Sequence, residues 1–117
     1  MVEDDETCKV AVYGTLKKGQ VNHIAIKGAT HKITQELTGW VMYNLGNYPT
    51  IIETGNDCDQ IMVEIYEMPK FWMKTLDRIE GYPRMYNRKI VQTEVGKAFI
   101  YFWNGFDITK RIKTGTW

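Results

Sequence analysis

The sequence predicts an α+β fold in which a curved or closed sheet packs against a helix. Two features carry that reading: short β-rich apolar runs set off by glycine, and one strong helical stripe, with no regular strand–helix alternation. At 117 residues the chain is shorter than the roughly 150 residues of a typical domain, so a single domain over 1–117 is expected. Its ends, 1–8 and 104–117, read as peripheral.

Order is expected to begin at Lys9–Tyr13, where Val10, Ala11, Val12 and Tyr13 make a buried strand stopped by Gly14. Gly14–Gly19 is a loop, and Asn22 is placed to cap a short helix that runs to about Lys27 and ends at Gly28. From His31 to Leu45 the Thr, Ile, Val, Trp and Tyr content predicts extended chain bent at Gly39, as one strand or two. Gly46-Asn47-Tyr48-Pro49 is a turn, Thr50–Glu53 a brief strand, and Thr54–Asp57 a second turn. Gln60–Met68 is expected to pair with that brief strand as a hairpin. In it Ile61, Val63 and Ile65 face one way and Met62, Glu64 and Tyr66 the other, the period of a half-buried strand.

Pro69 suits a first helical position, and Trp72, Leu76 and Ile79 recur at helical spacing, so Pro69–Glu80 reads as an amphipathic helix ended by Gly81 and Pro83. Tyr86–Val95 and Lys97–Trp103 complete the sheet as a hairpin around Gly96. The remaining polar-to-basic tail includes Lys110, Arg111, Ile112 and Lys113.

Composition narrows the function. The chain has no serine, which excludes a serine hydrolase, and only two histidines and two cysteines. Cys8 and Cys58 form no CxxC or Cys/His cluster, so no zinc site or disulfide framework is indicated, and both read as reduced cytosolic thiols. Lys+Arg 15 against Asp+Glu 14 gives a net charge of +1, and with a pI near 7.7 there is no basic footprint for nucleic acid. The acidic start, Glu3 to Glu6, is the opposite of a signal peptide, and no run approaches the ~20 apolar residues of a membrane span, so the expected address is the cytoplasm.

Two constellations can carry chemistry. Tyr13-Gly14-Thr15-Leu16-Lys17-Lys18-Gly19 has the GxxxxG spacing of a phosphate loop, but Gln20 and Val21 stand where that motif needs Lys and Ser/Thr. What remains is a strand ending in glycine, whose amides at Gly14, Thr15 and Leu16 either converge on an anion or polarised carbonyl or form a plain turn. The second is Leu76-Asp77-Arg78-Ile79-Glu80-Gly81-Tyr82-Pro83, followed by Tyr86 and Arg88. Glu80 closes the helix on the face of Met73 and Leu76, against the macrodipole, so its pKa should rise toward the range of a general acid–base. The plain alternative pairs it with Arg84 or Arg88 at the surface. His23 and His31 read as surface or capping residues, and the tryptophans, tyrosines and methionines as core and rim.

These blocks together resemble the gamma-glutamylcyclotransferase-like family, which includes gamma-glutamylamine cyclotransferases. The resemblance rests on Tyr13-Gly14-Thr15-Leu16 with Gly19 and Asn22, on Gly46-x-Tyr48-Pro49, on Glu64-Ile65-Tyr66, and on Leu76-Asp77-x-x-Glu80-Gly81-Tyr82-Pro83-x-x-Tyr86-x-Arg88. It covers Val10 to Trp103. It implies a mixed β-barrel with one or two flanking helices, in which the Tyr13–Leu16 turn and Glu80 share a pocket. It also implies a small-molecule γ-glutamyl substrate whose α-amine attacks its own γ-carbonyl, releasing 5-oxoproline and a free amine without cofactor or metal. On that resemblance Glu80 is the catalytic acid/base, Tyr13, Gly14, Thr15 and Leu16 bind substrate, and Tyr86 and Arg88 orient Glu80 or substrate. Val63 stands where relatives commonly have a small residue, which predicts a narrower pocket or altered strand curvature. The competing class is a non-catalytic small-molecule-binding or protein-interaction module on the same barrel.

Overall fold

The structure, a computed structural model, describes residues 6–20, 22–44, 46, 49–103, 111–112 and 115–117. Glu3, Asp4 and Asp5 of the acidic start, most of the basic tail, and Asn47 and Tyr48 of the expected turn lie outside the described residues. The strands are β1 (Thr7–Val12), β2 (Thr30–Thr38), β3 (Trp40–Asn44), β4 (Pro49–Glu53), β5 (Gln60–Pro69), β6 (Tyr86–Thr93), β7 (Gly96–Trp103) and β8 (Arg111–Ile112), with one α-helix, α1 (Met73–Glu80). The α+β class holds, with sheet dominating the core.

Five strands form one sheet in the order β2-β5-β1-β7-β6, and three form a second in the order β4-β3-β8. Among the described residues only β1 and β7 pair in parallel. Among the described residues the ladders make two sheets and do not close into the single barrel that the resemblance implied.

Side-chain alternation gives the larger sheet two apolar faces. One buries Ala11, Ile61, Val63, Ile65, Ala98 and Ile100 against Trp40, Met42 and Ile51 of the smaller sheet. The other buries Val10, Val12, Tyr66 and Met68 against Leu16, Ile26 and the Met73–Leu76 face of α1. The period-2 reading of β5 is therefore correct, and both of its faces are used.

Several expectations change. β5 pairs with β2 and β1, while β4 pairs with β3, so the expected β4–β5 hairpin is absent. Gly39 (φ +90°) breaks the extended stretch into two strands assigned to different sheets, and its carbonyl accepts from Thr54 and Gly55 at 2.7 and 3.1 Å. That bend carries β3 away from β5 and makes β4 its neighbour. Pro69 ends β5 rather than starting a helix: its ψ of 136° is extended, Lys70–Trp72 form a 3-10 turn, and α1 begins only at Met73. The segment after Asn22 is likewise a 3-10 turn, His23–Ile26, and the Asn22 side chain caps nothing. The last hairpin turns through Glu94 and Val95, with Gly96 already paired to Thr93. The first strand starts at Thr7 rather than Lys9. Among the described residues no helix is long and apolar enough to cross a membrane.

Candidate functional site

β1 delivers the chain to the Tyr13–Leu16 turn, and each residue there is held from outside. The Tyr13 hydroxyl donates to Tyr101 O of β7 at 2.8 Å. Gly14 sits so close to Pro49 that a Cβ would lie 2.5 Å from Pro49 Cγ, so only glycine fits without moving β4. Asn22 N–H donates to Thr15 O at 2.8 Å, and its side-chain amide to Thr15 Oγ1 at 3.1 Å. His23 Nδ1–H donates to Leu16 O at 2.8 Å, which fixes the ring tautomer because a carbonyl only accepts. Lys18 N–H donates to Glu64 Oε1 at 3.0 Å, and the Tyr66 hydroxyl donates to the same oxygen at 3.0 Å. Within the turn Lys17 N–H donates to Gly14 O at 2.9 Å, which leaves the amides of Gly14, Thr15 and Leu16 outside the turn's own hydrogen bonds.

Across from this turn stands Glu80, the last residue of α1, where Gly81 takes the left-handed conformation (φ +67°) that ends the helix. Met73 and Leu76, on the same face, are buried. Burial pushes the Glu80 carboxyl from its ordinary 4.5 up to about 7. No hydrogen bond or ion pair to the described residues holds it, and Arg88, one of the two arginines that the plain alternative offered, is engaged by Asp77. Tyr13 lies near enough to feel its charge: burial first, then Tyr86 and Glu80, push the Tyr13 hydroxyl well above its ordinary value.

Glu80 and the turn line one cleft of about 80 Å³. Of the residues singled out from sequence, Tyr13, Gly14, Thr15, Leu16, Glu80 and Tyr86 meet there, whereas Arg88 does not. Tyr86 donates its hydroxyl to Pro49 O at 2.8 Å, tying β6 to the same proline that packs on Gly14. Arg88 lies with its guanidinium 4.4 Å from the Tyr82 ring centroid and pairs with Asp77. Val63 is fully buried between the sheets and does not line the cleft.

By sequence His23 reads as a surface or capping residue, and Asp77 and Glu64 carry no individual role. For Glu64 a signal existed: it shares a strand face with Tyr66 two residues on, a spacing at which a carboxylate and a phenol can hydrogen-bond. Among the described residues no three His, Cys, Asp or Glu side chains gather as a metal site.

The cleft pairs a carboxylic acid of near-neutral pKa with a strand-end turn, an arrangement suited to proton transfer beside a polar group gripped by backbone. A family model described as gamma-glutamyl cyclotransferase, AIG2-like, matches residues 10–117. A Pyrococcus horikoshii protein named for the gamma-glutamylcyclotransferases is 32% identical over 111 residues, covering 95% of this chain and 91% of that one. The gamma-glutamylaminecyclotransferase A of Danio rerio is 29% identical over 113 residues, covering 84% and 70%. The Pyrococcus horikoshii crystal structure superposes with a TM-score of 0.81, covering 93% of this chain and 88% of that one. An AIG2-like protein of Mus musculus, 21% identical, shares the fold at a TM-score of 0.72, covering 96% and 88%. With a family match that runs over residues 10–117 and so takes in both walls of the cleft, this chain belongs to the gamma-glutamyl cyclotransferase, AIG2-like family.

Proposed function

We propose that the chain is a gamma-glutamyl cyclotransferase that converts a γ-glutamyl amine or peptide into 5-oxoproline and a free amine. The observation that carries this reading is Glu80: half-buried, unpaired among the described residues, and raised to about 7, beside the Tyr13–Leu16 turn in one cleft. The substrate's α-amine forms a bond to its own γ-carbonyl carbon while the bond from that carbon to the leaving nitrogen breaks. Each proton that Glu80 takes from the attacking nitrogen it returns to the departing one, so no water or enzyme nucleophile is consumed. A pocket that holds the bent conformer gains an effective molarity on the order of 10⁵ M or more, which fits a chain without serine.

The amides of Gly14, Thr15 and Leu16 hold a substrate oxygen, either the α-carboxylate or the developing oxyanion. Tyr13 and Tyr86 shape the cleft walls, and Arg88 acts on the site through Asp77. The competing non-catalytic module required Glu80 to be locked to Arg84 or Arg88, and the Arg88–Asp77 pair weighs against it. In fold terms the same reading takes the two sheets as parts of one mixed β-barrel, supported by the packing of β3 on β5 and β4 on β7. A cytoplasmic address goes with it, supported by two free thiols, Cys8 and Cys58.

The test is Glu80→Gln assayed for 5-oxoproline against a panel of γ-glutamyl amines and peptides. The variant should fold and lose turnover by about 10²–10⁴; undiminished turnover would remove Glu80 from the reaction.

A further inference from the structure

Residues 115–117 lie against β5 and reach the turn that forms one wall of the cleft. Gly115 is buried, its φ of +72° is in the left-handed region, and a Cβ there would collide with Gln60 O and lie 3.2 Å from Ile61 Cα. Both obstacles are backbone, so a side chain at this position displaces either β5 or the segment itself. Gly115 O accepts from Met62 N–H at 2.9 Å, and two residues on Trp117 packs against the core between the sheets. The glycine, the hydrogen bond and the packed indole together fix where the backbone of Trp117 stands.

That backbone is the acceptor for a residue of the turn. Lys17 Nζ donates to Trp117 O at 3.1 Å. Lys17 is also the residue whose N–H closes the turn on Gly14 O at 2.9 Å, and its neighbour Lys18 donates its N–H to Glu64 Oε1 of β5 at 3.0 Å. Two consecutive residues are thus tethered to one strand, Lys18 directly and Lys17 through Trp117. A lysine ordered on a mobile, exposed acceptor gains little, because ordering it costs rotamer freedom. Here the acceptor is already fixed and the bond is partly buried. Neither Lys17 nor residues 115–117 line the cleft, so their route to the reaction runs through the turn.

We propose that residues 115–117 latch the turn, with Lys17 and Trp117 as positioning residues that hold the amides of Gly14, Thr15 and Leu16 where they meet a substrate oxygen. The inference rests on the cyclotransferase reading, because that reading gives those amides a substrate.

The experiment measures 5-oxoproline release from a panel of γ-glutamyl amines and peptides, with urea midpoints taken alongside, for the native chain, Lys17→Met, Lys17→Arg, Gly115→Ala and the double variant of Lys17→Met with Gly115→Ala. Lys17→Met keeps the alkyl stem and loses the donor, so it should raise KM by about fivefold and leave kcat in place. Lys17→Arg, which still donates, should restore the native KM. Gly115→Ala displaces the acceptor and should raise KM to the same degree, and the double variant should be no worse than either single one, because both break one link. A segment that serves stability alone would move the urea midpoint and leave KM unchanged. An unmoved KM in Lys17→Met, or losses that multiply in the double variant, overturns this proposal and leaves the cyclotransferase reading standing; Lys17→Met, a loop change, decides the matter even where Gly115→Ala does not fold. Release of 5-oxoproline from no member of the panel by the native chain overturns both.

Discussion

Arg88 donates through Nη1 to both carboxylate oxygens of Asp77, at 2.6 and 2.5 Å, and Tyr101 donates its hydroxyl to Asp77 Oδ1 at 2.6 Å. Asp77 stands one turn before Glu80 on α1, Arg88 is on β6 and Tyr101 on β7. The pair thus clamps the last turn of the helix to the sheet edge, with Glu80 held one turn farther on. Both side chains are about one-quarter exposed, so part of the attraction is screened by water. Arg88→Ala should cost about 1–3 kcal/mol in chemical denaturation, because it leaves a half-buried carboxylate with one fewer donor. Arg88→Lys should recover part of that loss but not the stacking on Tyr82. Since Arg88 does not line the cleft, its removal should lower kcat far less than Glu80→Gln does; an equal loss would assign Arg88 to the substrate.

The pKa of Glu80 sets a pH signature. As a base it must be ionised, so kcat/KM should fall about tenfold per unit of pH below its pKa of about 7 and level off above it. An acid limb near 4.5 would mean that the carboxyl is solvated in the working enzyme.

The same shift has a stability consequence of opposite sense. The folded protein binds the Glu80 proton more tightly than the unfolded chain, whose carboxyl titrates at the ordinary 4.5. Stability from this group is therefore full below 4.5, declines as pH rises, and is lost by about 7. Glu80→Gln, which removes the buried charge, should be more stable than the native chain at pH 8 by about 1–3 kcal/mol and lose that advantage near pH 4. Urea midpoints at the two pH values provide the comparison, and a variant less stable at pH 8 would contradict the burial of the carboxylate.

Much of this site could be read from residue order. The Val10–Tyr13 run gave the strand, Gly14 its end, and the placement of Glu80 on the Met73–Leu76 face foretold the raised pKa, since a carboxylate on an apolar helix stripe must lose water. What residue order concealed were choices made by tertiary geometry. Thr50–Glu53 and Gln60–Met68 look like a hairpin because they are adjacent, yet the positive φ at Gly39 hands β4 to β3 instead. Pro69 fits a helix start and a strand end equally well, and pairing with Thr7 across the sheet decided for the strand. The resemblance places Arg88 with Tyr86 at the site, but the Arg88 side chain is drawn to Asp77 on α1 while the Tyr86 hydroxyl reaches Pro49 O. His23 gave no signal, because its role depends on a turn folding back to within reach of its ring.

That fold-back makes His23 and Glu64 joint supports of the turn. His23→Ala removes the donor to Leu16 O, and Glu64→Ala removes the acceptor for Lys18 N–H, at about 1 kcal/mol each. If the turn grips substrate oxygen, both should raise KM more than they lower kcat, and Glu64→Gln, which still offers an amide oxygen to Lys18, should restore most of the loss. A fall in kcat alone would show that the turn acts on the transition state rather than on bound substrate.

Gly14 and Pro49 give the sharpest steric test. A methyl group on Gly14 would sit 2.5 Å from Pro49 Cγ and 2.8 Å from Pro49 Cδ, and the proline ring cannot swing aside as a long side chain would. Gly14→Ala should therefore destabilise the fold by about 1–3 kcal/mol and displace the turn, lowering turnover with it. Pro49→Ala removes the ring while keeping the carbonyl that accepts from Tyr86. The double variant should regain stability and activity relative to Gly14→Ala alone, a coupling that a double-mutant cycle measures directly. Strictly additive losses would mean that the approach of Pro49 is not what excludes a side chain at Gly14.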